Sequence, residues 1–390
     1  MRVYDRLTNM TYLFNKLPMT NPSQSNYFPT IDILRGFAAI SVVIYHVIEI
    51  YGWTTFPTTG MLIWFRIGWM GVDLFFVISG FVIGLSAFSG IDKHGSQEFR
   101  GHFFRKRIVR IVPLHYLTLL VFLVFIMPAF LFENFWKNLI SHLAFVHNLS
   151  INLHGGINGA NWSLATEMQF YILMVLFAPW LRIARLWKVL LLFVGITWLW
   201  RFGVTILVTP DKTLGSFPIF VAATQLPGML DEFAIGILLA RFIRTEAGIR
   251  ILSYVNNNTA RVSFVWLLAG LLVYFALSIF WRYASYWDYP LMIILFRSLL
   301  ATSFGAVLFA ACVITPTGLI GRVASPFYYL GTISYGIYLW HLPVILSLKR
   351  VLLLTPQHAF PLVIGITIIF AAISWHCFEQ PLIQKYSRKS

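Results

Sequence analysis

The sequence predicts an all-α integral membrane protein of about ten transmembrane helices, with the N-terminus and C-terminus both cytoplasmic. Three observations predict this. Mean hydropathy is +0.76. Only 11% of residues are charged, against about 25% in a soluble chain. Apolar runs long enough to cross a bilayer recur along the whole length.

Ten such runs stand out: 33–51, 62–88, 108–131, 161–182, 188–208, 217–240, 263–281, 291–314, 327–347 and 360–378. The first thirty residues lack a continuous apolar core, so they do not read as a cleaved leader and the first span is expected to stay in place. The organisation expected is a cytoplasmic tail over 1–30, a transmembrane domain over 31–380 and a cytoplasmic tail over 381–390.

Orientation comes from the basic residues. With the N-terminus inside, 21 of the 29 lysines and arginines fall in cytoplasmic tails and loops. The same bias accounts for the net charge of +15 without a nucleic-acid partner. The two cysteines, Cys312 and Cys377, both lie in apolar runs and offer neither a disulfide framework nor a thiolate metal site. Ten spans with modest loops use up the chain, so any chemistry must happen in or at the membrane.

Ionisable side chains inside such spans are costly and point by default to function. The first run, IDILRGFAAISVVIYHVIEI, opens on Arg35 and carries His46. Ten residues separate the two, which places them roughly 16 Å apart along a helix. Arg35 then sits near the cytoplasmic surface and His46 about mid-membrane. A snorkelling arginine with a hydrogen-bonded interior histidine is the structural alternative. The second run, GWMGVDLFFVISGFVIG, carries Asp73 near its extracytoplasmic end, as a cap, an ion-pair partner or a site residue. Its Gly71, Gly80 and Gly84 permit close helix packing.

The third run begins FRKRIVRIVP. Arg105, Lys106, Arg107 and Arg110 crowd one helix start, and Arg107 and Arg110, three apart, share a face. Such a cluster suits a phosphorylated ligand through bidentate contacts, while topology and lipid headgroups explain it equally well. The fourth run, NWSLATEMQFYILMVLFAPW, brings Glu167 about two turns into an apolar helix, with Asn161 and Ser163 as N-cap residues. A carboxylate there needs a partner, and His46 is at comparable depth. The ninth run, ISYGIYLWHLPV, places His341 towards its outer end beside Trp340, as an interfacial or a pore-lining imidazole.

IDILRGFAAISVVIYH, GVDLFFVISGF, FRKRIVRIVP, NWSLATEMQFY and SYGIYLWHLP follow one another in that order. Together they resemble the acyltransferase 3 family of multi-span membrane O-acyltransferases, over roughly residues 28–380. The resemblance implies a catalytic Arg-x10-His pattern at Arg35 and His46. It implies a cytoplasmic Arg-x-x-Arg pattern at Arg107 and Arg110, and a Trp-Ser-Leu-x-x-Glu pattern at Trp162, Ser163 and Glu167. It further implies a bacterial plasma-membrane enzyme that moves an acyl group, in the first instance acetyl, from cytoplasmic acyl-CoA to a saccharide or lipid-linked glycan hydroxyl outside. Acyl-CoA is then the expected co-substrate, held by Arg105, Arg107 and Arg110. His46 is expected to be the general base or the acyl acceptor, with Glu167 supporting it and Arg35 positioning. The histidines show no His-Glu-x-x-His spacing and the chemistry requires no metal. A proton-coupled transporter is the competing reading, since it too would place His, Asp and Glu in mid-membrane. It would, however, be expected to show two similar halves with interrupted helices.

Overall fold

The computed structural model describes residues 28–132, 134–314 and 318–387, and among these the architecture is all-helical, with 3-10, π and turn segments joining the α-helices and no strand. The long helices in chain order are α1 (Pro29–Ile50), α2 (Gly71–Val121), α3 (Phe135–Leu143), α4 (Trp162–Ile183), α5 (Leu186–Leu207), α6 (Phe217–Ala223) and α7 (Leu226–Phe242). There follow α8 (Glu246–Asn256), α9 (Thr259–Arg282), α10 (Arg297–Val313), α11 (Gly318–Thr332), α12 (Ser334–Val351), α13 (Pro356–Ser374) and the C-terminal α14 (Gln380–Ser387).

Seven helical stretches among the described residues are long and apolar enough to cross a membrane. The chain is therefore a multi-pass integral membrane protein. The difference from the ten runs read in the sequence has two physical sources. Run 62–88 and run 108–131 up to residue 126 fall in one stretch, Met61–Ile126, because the connection between them stays helical. Inside it, α2 departs from helical geometry at Gly95, where φ is +77°. Only glycine takes that conformation without strain, and it sets the two arms of α2 at an angle. Runs 217–240 and 327–347 break into shorter pieces, α6 with α7 and α11 with α12. Residues 1–27 of the expected N-terminal tail and 388–390 of the C-terminal tail lie outside the described residues. The boundary expected at 380 falls inside the continuous helical stretch Pro356–Tyr386.

The core is a layer of helices around α2. Its first arm packs on α7, α4 and α1, while α1 packs in turn on α11 and α12. The α2–α7 crossing is close because a Cβ on Gly80 would collide with the Phe233 carbonyl, and one on Gly236 with the Val77 carbonyl. In lipid, where apolar side chains gain little by leaving their solvent, such backbone approach is what makes a helix pair tight. Helices α5 and α9 turn most of their apolar surface outward; Leu199, Leu207 and Tyr274 are examples.

Candidate active site

A cavity of about 380 Å³ runs between α1, α2, α4, α12 and α14. One end is basic. Arg35 from α1 and Arg105, Lys106, Arg107 and Arg110 from the second arm of α2 all line it. These cations come together because α2 brings four of them round on about one and a half turns and α1 starts alongside. Arg107 lies over the rings of Phe103 and Tyr171, at 5.4 and 5.9 Å. Its Nε is buried with no partner. Arg110 lies 4.7 Å from the ring centre of Trp375 and 3.7 Å from Glu379. Arg35 pairs with Asp32, one turn earlier, at 3.4 Å.

The middle of the cavity holds Glu167. Its Oε1 accepts hydrogen bonds from the Ser79 hydroxyl at 2.6 Å and the Tyr171 hydroxyl at 2.7 Å. The pairing of Glu167 with His46, expected from their similar depth, is not formed. Helix α4 faces the first arm of α2 across this cavity, and Glu167 Oε1 is turned to the hydroxyls there, away from His46. Asn161 does occupy the N-cap position of α4, but its side chain makes no cap. Its amide instead meets His115 Nδ1 at 3.2 Å. Ser163 is inside the helix and lines the cavity.

The end remote from the cations is closed by Ser163 and Tyr338, whose hydroxyls lie 2.7 Å apart, with Tyr338 donating to the Ala160 carbonyl at 2.8 Å. Behind Tyr338 lies a histidine pair. His341 Nδ1 is 2.6 Å from the Tyr338 carbonyl, and its Nε2 is 3.2 Å from His46 Nδ1. His46 Nδ1 is also 3.0 Å from the Val42 carbonyl. Hydrogen-bond accounting assigns the tautomers. A carbonyl only accepts, so His341 must carry its proton on Nδ1 and present the Nε2 lone pair. His46 then donates from Nδ1 to Val42 and His341, which leaves Nε2 as its lone-pair nitrogen. Neither imidazole lines the cavity; Tyr338 stands between, its side chain on the cavity and its carbonyl on His341.

Asp73 belongs to a different cluster. It pairs with Arg297 of α10, whose Nη1 is also 3.9 Å from Glu232 of α7. Next to it, Arg201 of α5 and Asp231 form two parallel contacts of 3.0 Å, and the Ser298 hydroxyl donates to Asp231 at 2.5 Å. All five charged side chains are buried. The sequence reading missed Arg201, Asp231, Glu232 and Arg297, although charge within an apolar run was the signal that singled out Asp73. A second missed group joins His142 and His147, whose rings stack at 4.0 Å in the connection before α4. Cys312 is buried and Cys377 exposed, and both are free.

No solved structure matches the chain. Among curated proteins, it is 27% identical over 379 residues to the peptidoglycan O-acetyltransferase OatA of Listeria monocytogenes, covering 91% of this chain and 56% of that protein. It is 28% identical over 385 residues to the putative peptidoglycan O-acetyltransferase YrhL of Bacillus subtilis, covering 91% and 55%. It is 27% identical over 321 residues to a putative acetyltransferase of Acidianus two-tailed virus, covering 82% and 84%. The chain thus spans little more than half the length of the first two relatives. The model of the acyltransferase 3 family, an acyltransferase domain, matches residues 28–377, so the chain belongs to that family.

Proposed function

We propose that the chain is a membrane O-acyltransferase that moves an acyl group, acetyl in the first instance, from cytoplasmic acyl-CoA to a hydroxyl of an extracytoplasmic saccharide. The single observation that carries this reading is the cavity. It joins a five-cation end to Ser163 and Tyr338, and Tyr338 is one hydrogen bond from the His341–His46 pair. The cations suit the phosphates of coenzyme A, and the positive-inside bias supports a cytoplasmic position for them. The pantetheine arm would follow the cavity past Glu167 to Tyr338, and displacement of the Tyr338 side chain would let the thioester meet, beside His46, an acceptor hydroxyl entering from the far side.

A hydroxyl is a weak nucleophile at neutral pH. In this reading the Nε2 lone pair of His46 takes its proton while the oxygen attacks the thioester carbonyl. The C–S bond breaks, the C–O ester bond forms, and the proton passes to the departing thiolate. A positioned imidazole contributes typically ~10²–10⁴-fold to such a step. His341 is a positioning residue: it fixes the His46 tautomer and shares the charge of the imidazolium. In the covalent variant, Nε2 attacks the thioester carbonyl and expels the coenzyme A thiolate; the acceptor oxygen then attacks the acyl-imidazole, the C–N bond breaks as the C–O ester bond forms, and the hydroxyl proton passes to the freed Nε2. Arg35 stays charged and acts as a ligand-binding residue, since a guanidinium does not serve as a base. Two relatives are named as peptidoglycan O-acetyltransferases, so peptidoglycan is the first acceptor to test.

The test is transfer by purified protein in detergent, from acetyl-CoA to muropeptides, read by mass spectrometry. His46→Ala is expected to abolish transfer while retaining coenzyme A binding. Near-normal transfer by a folded His46→Ala protein would remove His46 from the chemistry. Rapid acid quench of the parent separates the two routes by the presence or absence of an acylated His46 peptide.

A further inference from the structure

The family match ends at residue 377, yet the cavity does not. Ile383 and Tyr386 of α14 line its basic end. The Arg105 guanidinium lies 5.5 Å from the centre of the Tyr386 ring, and Tyr386 remains 38% exposed. The segment leading to it is tied down on both sides. Trp375 and Glu379 hold Arg110, and His376 Nε2 is 3.0 Å from the Tyr329 hydroxyl. An aromatic ring with a guanidinium over one face and free surface remaining, set among cations suited to phosphates, has the make-up of a nucleobase stacking platform. Bases stack on aromatic and guanidinium planes because every base offers a π-face.

We propose that Tyr386, supported by Arg105, is the platform for the purine base of the donor's nucleotide end. The proposal rests on the acyl-CoA reading and adds to it a site beyond the matched domain. It assigns a division of labour along the cavity. Tyr386 and Arg105 take the base, Arg107 and Arg110 take phosphates, and the arm runs inward past Glu167. Tyr386 would then set selectivity for coenzyme A over acyl carriers that share the pantetheine arm but lack the adenine.

The ligands that test this are coenzyme A, adenosine 3′,5′-bisphosphate and 4′-phosphopantetheine, each titrated directly into the purified full chain in detergent. The variants are Tyr386→Leu, which keeps apolar bulk without a π-face, and Tyr386→Trp, which restores one. The expected result is that Tyr386→Leu weakens coenzyme A and the bisphosphate roughly tenfold, as loss of one stacked base does. It leaves 4′-phosphopantetheine unchanged, and Tyr386→Trp binds all three as the parent does. Equal weakening of all three ligands in Tyr386→Leu would make α14 a packing element and overturn the platform. Unchanged coenzyme A affinity would make Tyr386 an aromatic anchor at the membrane surface and overturn it too. A parent that binds 4′-phosphopantetheine but coenzyme A no tighter sinks the platform alone. A parent that binds none of the three sinks the donor reading and the platform with it.

Discussion

At the scale of single residues, the histidine pair makes the sharpest statement. His341 touches His46 through one nitrogen and the Tyr338 carbonyl through the other. If its task is to hold the tautomer, His341→Ala should lower turnover on the order of 10²-fold with little change in donor affinity, and His341→Gln, which keeps a polar group at that depth, should restore part of it. Equal loss in both variants, together with lost donor binding, would make His341 a packing residue. Glu167 follows a different logic. Its partners are the hydroxyls of Ser79 and Tyr171, and a glutamine oxygen accepts from both. Glu167→Gln is therefore expected to leave the pH–rate profile in place. A shifted profile would tie the carboxylate to His46 after all. Arg107 and Arg110 sit at the basic end, on the far side of Glu167 from Tyr338, so they should govern affinity. Loss of one charged contact commonly removes ~1.5–3 kcal/mol. Arg107→Ala and Arg110→Ala should raise KM for the donor with a smaller effect on kcat, and lysine should rescue only in part because it lacks the bidentate fork. Loss of turnover alone at unchanged coenzyme A affinity would refute that division.

At the scale of elements, the cluster on α2, α5, α7 and α10 shows how the bundle is registered. Two guanidiniums, Arg201 and Arg297, face three carboxylates, Asp73, Asp231 and Glu232, with all five buried. Removing one partner of a buried pair leaves an uncompensated charge and costs ~3–5 kcal/mol. Arg297→Ala should therefore lower the thermal midpoint of the detergent-solubilised protein sharply. Glu232→Gln should be tolerated, because the carboxylates outnumber the guanidiniums and both Glu232 oxygens lack a donor. The reverse order of the two midpoints would contradict this account. The cluster also gives Asp73 its role. Read alone in its run it was open between structure and site; in the structure its partner lies 224 residues away, and the pair ties α2 to α10. The same crossing explains Gly80, which the sequence offered only as one of three packing glycines and which α7 contacts through backbone.

At the scale of the whole molecule, acid should act through the connection before α4 as well as through the bundle. Burial lowers the pKa of His142 to about 3, of His147 to about 4 and of His154 to about 3. Each folded value lies below the ordinary 6.5. Their contribution to stability is therefore fully present above about pH 6.5 and is lost as pH falls through about 4 for His147 and about 3 for His142 and His154, because the unfolded chain takes up protons that the folded one refuses. At about pH 5 each imidazole costs on the order of 2 kcal/mol. The melting temperature should fall between pH 7 and pH 5, and His142→Asn should flatten that slope; a pH-independent midpoint over this range would show that these rings are already solvated. The sequence by itself determined the solvent, the helical class and the family, because composition, apolar run length and motif order are properties of a linear chain. It also singled out Arg35, Arg107, Arg110, Ser163 and Glu167 as polar groups in apolar runs, and these five line one cavity. Only the tertiary structure decided azimuth and partner: that His46 meets His341 and not Glu167, that Asp73 meets Arg297, and that the C-terminal helix returns Tyr386 to a cavity opened by α2. Rotation of one helix about its axis relative to another depends on close backbone approach and buried charge pairing between segments hundreds of residues apart. No local periodicity carries that information.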